Sequence, residues 1–173
     1  TVTSCLGVFS LLQQGHLDLG LLSAAQVDRF GNLNSTVIGS YDNPKVRMVG
    51  SGGAHDIAVL AKEVTLMMPH DPRRFVPEVD FSTSPGMNWD REQKGRRSRG
   101  KGPTCLITPR ARFTFEAGEL TLEALVDGVE ESEALEGFRW EVPRASTVRR
   151  LRAIDPELAA IATELVESYG RDL

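Results

Sequence analysis

Cysteine is scarce in this 173-residue chain: Cys5 and Cys105 lie far apart, in no CxxC or Cys/His ligand spacing. That excludes a disulfide-stapled scaffold and a zinc site, and it points to a reduced, cytoplasmic protein. No apolar run approaches the length of a membrane span, and the opening residues show no basic stretch followed by an apolar core, so neither a membrane partner nor a secretory signal is expected. Charge of one sign is lacking too. Lys and Arg number 20 against 24 Asp and Glu, and the net charge of -4 argues against a general nucleic-acid binder. No internal repeat is present, which leaves a single domain able to bury one sizeable core. The chain opens at Thr1 without methionine and enters Leu6, Val8, Phe9, Leu11 and Leu12 almost at once, so the expectation is that an N-terminal portion preceding Thr1 is absent.

Apolar positions at helical spacing predict a helix over 5–14, with Gly15 as its stop. A strand is expected over His16–Leu22, a turn over Asp28–Asn32, and a second strand over Leu33–Ile38. Gly50 to Ala54 reads as a loop, with Asp56 capping a helical turn through Ala61. Val64–Met68 is a compact strand stopped by Pro69. Residues 84–102, with Arg91, Lys94, Arg96, Arg97, Arg99 and Lys101, read as a long, basic, mobile loop within the domain. Strands resume over 104–108, 112–116 and 119–125. A short acidic helix over 130–135 and an extended piece over 138–142 follow. The last helix is capped by Asp155, starts on Pro156, carries an apolar stripe of Leu158, Ile161, Ala162, Leu165, Val166 and Tyr169, and stops at Gly170. Helices scattered among short apolar strands predict an α/β class, an open sheet flanked by helices.

Two segments stand out for chemistry: Ala24 to Asn34 (AAQVDRFGNLN) and Gly50 to Asp56 (GSGGAHD). Glycine-rich loops after strands are where open α/β sheets bind ligands. Successive N–H groups of Gly52, Gly53 and Ala54 converge on an anionic oxygen in one reading, and make an ordinary tight turn in the other. A Cβ on Gly52, in a crowded glycine run, is expected to push the amides off their ligand and abolish turnover. Gln26, Asp28, Asn32 and Asn34 crowd one turn, and turn chemistry accounts for Asp28 and Asn32 whatever else they do.

The run Ala24 to Gly39, AAQVDRFGNLNSTVIG, followed by Gly50-Ser51-Gly52-Gly53-Ala54, resembles the B (β) subunit of family I CoA-transferases, nearest to the glutaconate CoA-transferase type. The likeness continues through Met67-Met68-Pro69-His70, Arg73-Arg74-Phe75, Ser82-Thr83-Ser84-Pro85-Gly86 and Ile154-Asp155-Pro156. It implies a CoA-transferase-like fold, an A (α) subunit as partner in an α2β2 or larger hetero-oligomer, and a site shared between the two. A coenzyme A thioester is the substrate and no cofactor is bound permanently. The resemblance also implies a glutamate nucleophile that forms an acyl anhydride and then a glutamyl-CoA thioester, splitting one difficult exchange into easier steps. Gly52, Gly53 and Ala54 are the implied oxyanion donors, and Gln26, Asn32, Asn34, Gly50, Ser51, His55 and Arg74 the implied CoA or substrate contacts.

The implied glutamate belongs before the segment matching Leu6 to Leu22, and this chain has none there; Glu63 and Glu78 lie in the wrong context. Either it sits in the absent portion or the chemistry differs, as in related CoA-thioester hydrolases and decarboxylases, or the chain only holds the α partner and the CoA site together. His55 reads as a neighbour at the loop's edge or as an acid or base. His70 lines the site or braces Asp71 and Arg74; His16 is a surface residue, and Met67-Met68 is strand packing. Arg73 and Arg74 contact CoA phosphates or a substrate carboxylate, or else form salt bridges to Glu78 or Asp80. The basic loop is solvated or recruits the phosphorylated end of CoA; lacking interleaved aromatics, it is a poor nucleic-acid site.

Overall fold

A computed structural model describes residues 4–88, 100–115, 118–152 and 154–169. The expected basic residues Arg91, Lys94, Arg96, Arg97 and Arg99, and the expected stop Gly170, lie outside the described residues. In chain order the elements are α1 (Cys5–Gln14), β1 (Leu19–Leu22), β2 (Gln26–Val27), β3 (Leu33–Asn34), β4 (Val37–Gly39), β5 (Pro44–Arg47), α2 (Ala54–Leu60), β6 (Glu63–Met67), β7 (Pro103–Ile107), β8 (Ala111–Thr114), β9 (Thr121–Leu125), α3 (Glu131–Ala134), β10 (Arg144–Arg150) and α4 (Pro156–Tyr169).

Local chemistry sets the helix ends. Ser4 Oγ accepts the Gly7 N–H at 3.2 Å to start α1, and Gly15 at φ 78° lets the chain turn back while its N–H and that of His16 satisfy the Leu12 and Leu11 carbonyls. Glu130 and Glu133 cap the start of α3 reciprocally. Asp155 Oδ1 accepts from Glu157 N at 2.9 Å at the start of α4.

Six strands form one mixed sheet in the order β1-β6-β7-β8-β9-β10. β1, β6 and β7 run parallel, β8 and β9 are antiparallel to their predecessors, and β10 is parallel to β9. Two small antiparallel ribbons, β2–β3 and β4–β5, sit in the crossover from β1 to β6. α2 packs on β1 so closely that a Cβ on Gly20 would lie 2.5 Å from Ile57 Cγ2. The core is built from Val64, Leu66, Leu106, Phe113, Phe115, Leu120 and Leu122, joined by Val27, Leu33 and Phe75 from the ribbon side. The chain is thus the expected α/β domain of an open sheet flanked by helices.

The local differences have physical causes. The expected strand 33–38 is broken at Ser35 and Thr36, because Asn34 Oδ1 captures the N–H groups of Thr36 (3.0 Å) and Val37 (3.2 Å) and bends the chain there. Strand β1 begins at Leu19 rather than His16. Helix α2 begins at Ala54 with Gly53 as its N-cap, so Asp56 lies in the first turn instead of capping. Residues 138–142 form no strand: the outer edge of β9 is taken by β10, and Phe138 instead stacks on Phe75 with ring centroids 4.2 Å apart. Ser84 to Met87, the start of the expected mobile loop, are pinned by Leu33 N to Ser84 O (2.9 Å) and Met87 N to Phe30 O (2.8 Å).

Candidate functional site

The crossover after β1 carries the first of the two sequence motifs. Asp28 is buried and its Oδ1 accepts the N–H groups of Phe30 and Asn32, both at 3.0 Å, while Oδ2 accepts from Asn32 Nδ2 at 2.9 Å. Burial pushes the Asp28 carboxyl up, against the hydrogen bonds that hold it ionised. Asn32 Oδ1 accepts from Gly86 N at 2.7 Å, tying this turn to the Ser82–Gly86 block.

Gln26 and Asn34 face one another across β2–β3. Asn34 Nδ2 donates to Gln26 Oε1 and to Val37 O, each at 2.6 Å, and Gln26 Nε2 donates to Asp80 Oδ2 at 3.1 Å. Asp80 returns the bond through its own N–H to Gln26 Oε1 and accepts Gly39 N at 2.9 Å. Gln26, Asn32 and Asn34 therefore spend their polar atoms inside the chain, holding ribbons and loops in place.

The second motif is anchored to the first. Gly50 N donates to Ser35 O at 3.0 Å, and Ser35 Oγ donates to Gly50 O at 2.9 Å. Ser35 N in turn donates to Thr83 Oγ1 at 3.0 Å. Ser51 is exposed and His55 half-buried on α2. The Ala54 N–H closes the turn on Ser51 O at 2.8 Å, so among the described residues the open amides of the run are those of Gly52 and Gly53. Gly52 needs its φ of +48°, which side chains adopt poorly, but has open space around it. Crowding falls on Gly53, where a Cβ would lie 2.3 Å from Phe9 Cζ of α1.

A third group gathers where β6 and β7 end, beside the exit of β1, the position at which open α/β sheets hold ligands. Arg74 Nη1 donates to Ala24 O at 2.6 Å, its backbone carbonyl accepts Val27 N at 2.8 Å, and its Nε is buried with no acceptor among the described residues. Arg73 instead holds Asp71 through both carboxylate oxygens (Nη2 to Oδ2, 2.7 Å) and keeps that carboxyl down at about 2. Neither arginine forms the salt bridge to Glu78 or Asp80 weighed from the sequence. His70 braces neither Asp71 nor Arg74: its Nδ1 lies 3.3 Å from Thr108 Oγ1 and its Nε2 3.0 Å from Glu136 O. Burial, with the Arg110 charge, pulls its pKa down against the Glu136 carbonyl and carboxylate.

Sequence reasoning missed the groove beside Arg74, walled by Ile38, Val46 and Met48. These residues come from a ribbon whose second strand, PKVR, carries no hydrophobic signal. Among the described residues no group of three His, Cys, Asp or Glu is arranged to hold a metal, and no helix is long and apolar enough to cross a membrane. Both cysteines are free, Cys5 exposed and Cys105 buried.

Comparison with known proteins places this geometry among relatives. A family model described as Coenzyme A transferase matches residues 3–97. The B subunit of the 3-oxoadipate CoA-transferase of Pseudomonas knackmussii is 41% identical over 154 residues, covering 87% of this chain and 59% of that protein. The B subunit of the glutaconate CoA-transferase of Acidaminococcus fermentans is 34% identical over 157 residues, covering 86% and 57%. The crystal structure of glutaconate coenzyme A-transferase from the same organism superposes with a TM-score of 0.74 at 32% identity, over 83% of this chain and 56% of that one. The chain spans less than 60% of the length of both curated relatives.

Proposed function

We propose that this chain, which belongs to the coenzyme A transferase family, is the β-type component of an enzyme that moves CoA from an acyl-CoA to a free carboxylate. Its partner is a CoA-transferase A (α) subunit in an α2β2 or larger assembly, working in the cytoplasm. Coenzyme A enters as a thioester substrate, and nothing is held permanently. Relatives named for 3-oxoadipate and glutaconate support a short dicarboxylic acid as one substrate.

The observation that carries this reading is the turn ahead of α2, where Gly52 and Gly53 present adjacent N–H groups with no acceptor in the described chain. Such donors, fixed before the reaction, stabilise charge that develops on an attacked carbonyl oxygen. Glutamate is the nucleophile, and no glutamate of these 173 residues takes that role. Glu63 is paired with Lys101 at 3.2 Å at the amino end of β6, and Glu78 lies outside the glycine turn. The glutamate carboxylate adds to the thioester carbonyl, and collapse expels CoA thiolate and leaves an acyl anhydride. The thiolate then attacks the glutamyl carbonyl of that anhydride, releasing the first acid and forming glutamyl-CoA. A second carboxylate reverses the two steps and carries the CoA away. In this scheme Gly52 and Gly53 receive the carbonyl charge, the Ala54 N–H closes their turn on Ser51 O instead of donating to the substrate, and Gly50, Ser51 and His55 flank them. Gln26, Asn32 and Asn34 keep the supporting loops in register.

The test uses the full-length protein assembled with its α partner. Succinyl-CoA and either glutaconate or 3-oxoadipate are supplied, transfer is followed, and the enzyme is treated with hydroxylamine or borohydride after mixing with acyl-CoA alone. Transfer with a trapped glutamyl-CoA adduct is expected. A complex that moves no CoA and traps no adduct overturns the proposal.

A further inference from the structure

The groove of about 370 Å³ beside Arg74 has one cationic wall and one apolar wall. Ile38 of β4, Val46 of β5 and Met48, just past β5, form the apolar side, with Ile38 and Val46 directly paired across the ribbon. Asp71, Arg73 and Arg74 form the other. Arg73 and Asp71 hold one another through their two-pronged ion pair, and Arg74, whose charge also reaches Asp71, leaves these three groups with a net positive charge.

Arg74 is held unusually firmly for a residue with so few side-chain partners. Its N–H donates to Asp71 O at 2.9 Å, and its carbonyl accepts Val27 N at 2.8 Å. Of its guanidinium nitrogens, among the described residues, only Nη1 has an acceptor, Ala24 O, while Nε is buried and unpaired. Nε is sealed from the groove, so the donor left for a ligand there is Nη2, which has no acceptor among the described residues. A guanidinium is built to take a carboxylate through two parallel N–H bonds. The apolar wall suits methylene groups, which such a surface removes from water.

We infer that this groove is the subsite for the remote carboxylate of a dicarboxylic acyl group, with Arg74 receiving the carboxylate and Ile38, Val46 and Met48 packing along the carbon chain. An acyl group ending in a methyl leaves Arg74 unpaired and is discriminated against for that reason. The assignment rests on the reading of the chain as a CoA-transferase component for the thioester end, whereas the affinity for acyl-CoA, measured without transfer, tests it separately. Met48 lies two residues before Gly50 in the chain.

The experiment titrates the assembled full-length complex, with no acceptor acid present, with glutaryl-CoA and with butyryl-CoA by calorimetry, for the unmodified protein, Arg74→Gln, Arg74→Lys and Val46→Glu. The two share one thioester end and differ in the remote group alone. The unmodified protein is expected to prefer glutaryl-CoA by roughly 100-fold. Arg74→Gln should erase the preference, and Arg74→Lys should restore part of it. Val46→Glu, at a half-exposed position, should weaken glutaryl-CoA more than butyryl-CoA. Equal affinity for the two thioesters, or an unchanged preference in Arg74→Gln, overturns the inference. A complex that prefers glutaryl-CoA through Arg74 yet passes no CoA to an acceptor acid sinks the transferase reading alone. One that moves CoA with an Arg74-independent preference sinks only this subsite.

Discussion

Asn34 is bonded to Gln26 across the β2–β3 pair, nitrogen to oxygen at 2.6 Å, and both side chains are sealed from solvent. The same Asn34 oxygen takes the Thr36 and Val37 N–H groups, so one carboxamide joins the ribbon to the bend that follows it. Asn34→Ala strips four hydrogen bonds from a fully buried position. A loss of about 2–4 kcal/mol is expected, since each orphaned buried group costs ~1–3 kcal/mol. Urea unfolding measures it. A loss under about 1 kcal/mol would show that water replaces these bonds.

Two neighbouring glycines should respond differently. Gly52→Ala meets only the strain of a positive φ, roughly 1–2 kcal/mol, with no clash. Gly53→Ala drives a Cβ into the Phe9 ring, and Phe9→Leu in that background should recover stability. In the assembled enzyme Gly53→Val is expected to lower kcat by roughly 10²–10³-fold by moving the amides. Thermal unfolding and steady-state turnover on the same variants separate the two effects. Full turnover in Gly53→Val removes the oxyanion role.

His70 makes stability depend on pH. Its folded pKa lies below the ordinary 6.5, so the fold favours neutral imidazole. Its contribution is present above that ordinary value and is lost as pH falls from 6.5 through the folded value. Thermal midpoints measured from neutral to mildly acidic pH should drop more steeply for the parent than for His70→Gln. Parallel curves would refute the assignment.

Glu123 lies between Arg112 of β8 and Arg149 of β10, ion-paired to both and largely shielded. Glu123→Gln leaves both guanidinium groups without their anion. The expected result is faster amide exchange along Arg144–Arg150, with β8 and β9 little changed. Uniform exchange across the sheet would mean that β10 is held by its backbone pairing alone.

Elements with an apolar rhythm and proper caps were legible in the sequence: α1 ends at Gly15, α4 begins at Pro156, and the central strands fall where their Val, Leu and Phe residues lie. The charged strands β5 and β10 were not, because PKVR and RASTVRR lack alternation and are made strands by their partners. Phe138 and Trp140 alternate like a strand, yet only the occupied edge of β9 decides that they cannot pair there. For the site, the glycine turn was readable, since the chemistry is in the glycines themselves. The inward use of Gln26 and Asn32 was not, because Asp80 and Gly86, their partners, are distant in sequence, and Asn34 meets Gln26 only once the β2–β3 pair has formed. The Arg74 groove needed three separate segments to meet.

The mixed sheet also sets an order of assembly. Only residues 108–110 separate β7 from β8, and the β8–β9 connection is short as well, whereas residues 23–62 separate β1 from β6. Short loops close early, and long parallel crossovers close late. The antiparallel half should therefore condense first, and the parallel half, which carries both ribbons, the glycine turn and Arg74, should mature last. Pulse-labelled amides of β8 and β9 protected before those of β1 would be the kinetic signature. A chain halted at that stage would have its sheet half built and its ligand-handling loops still open.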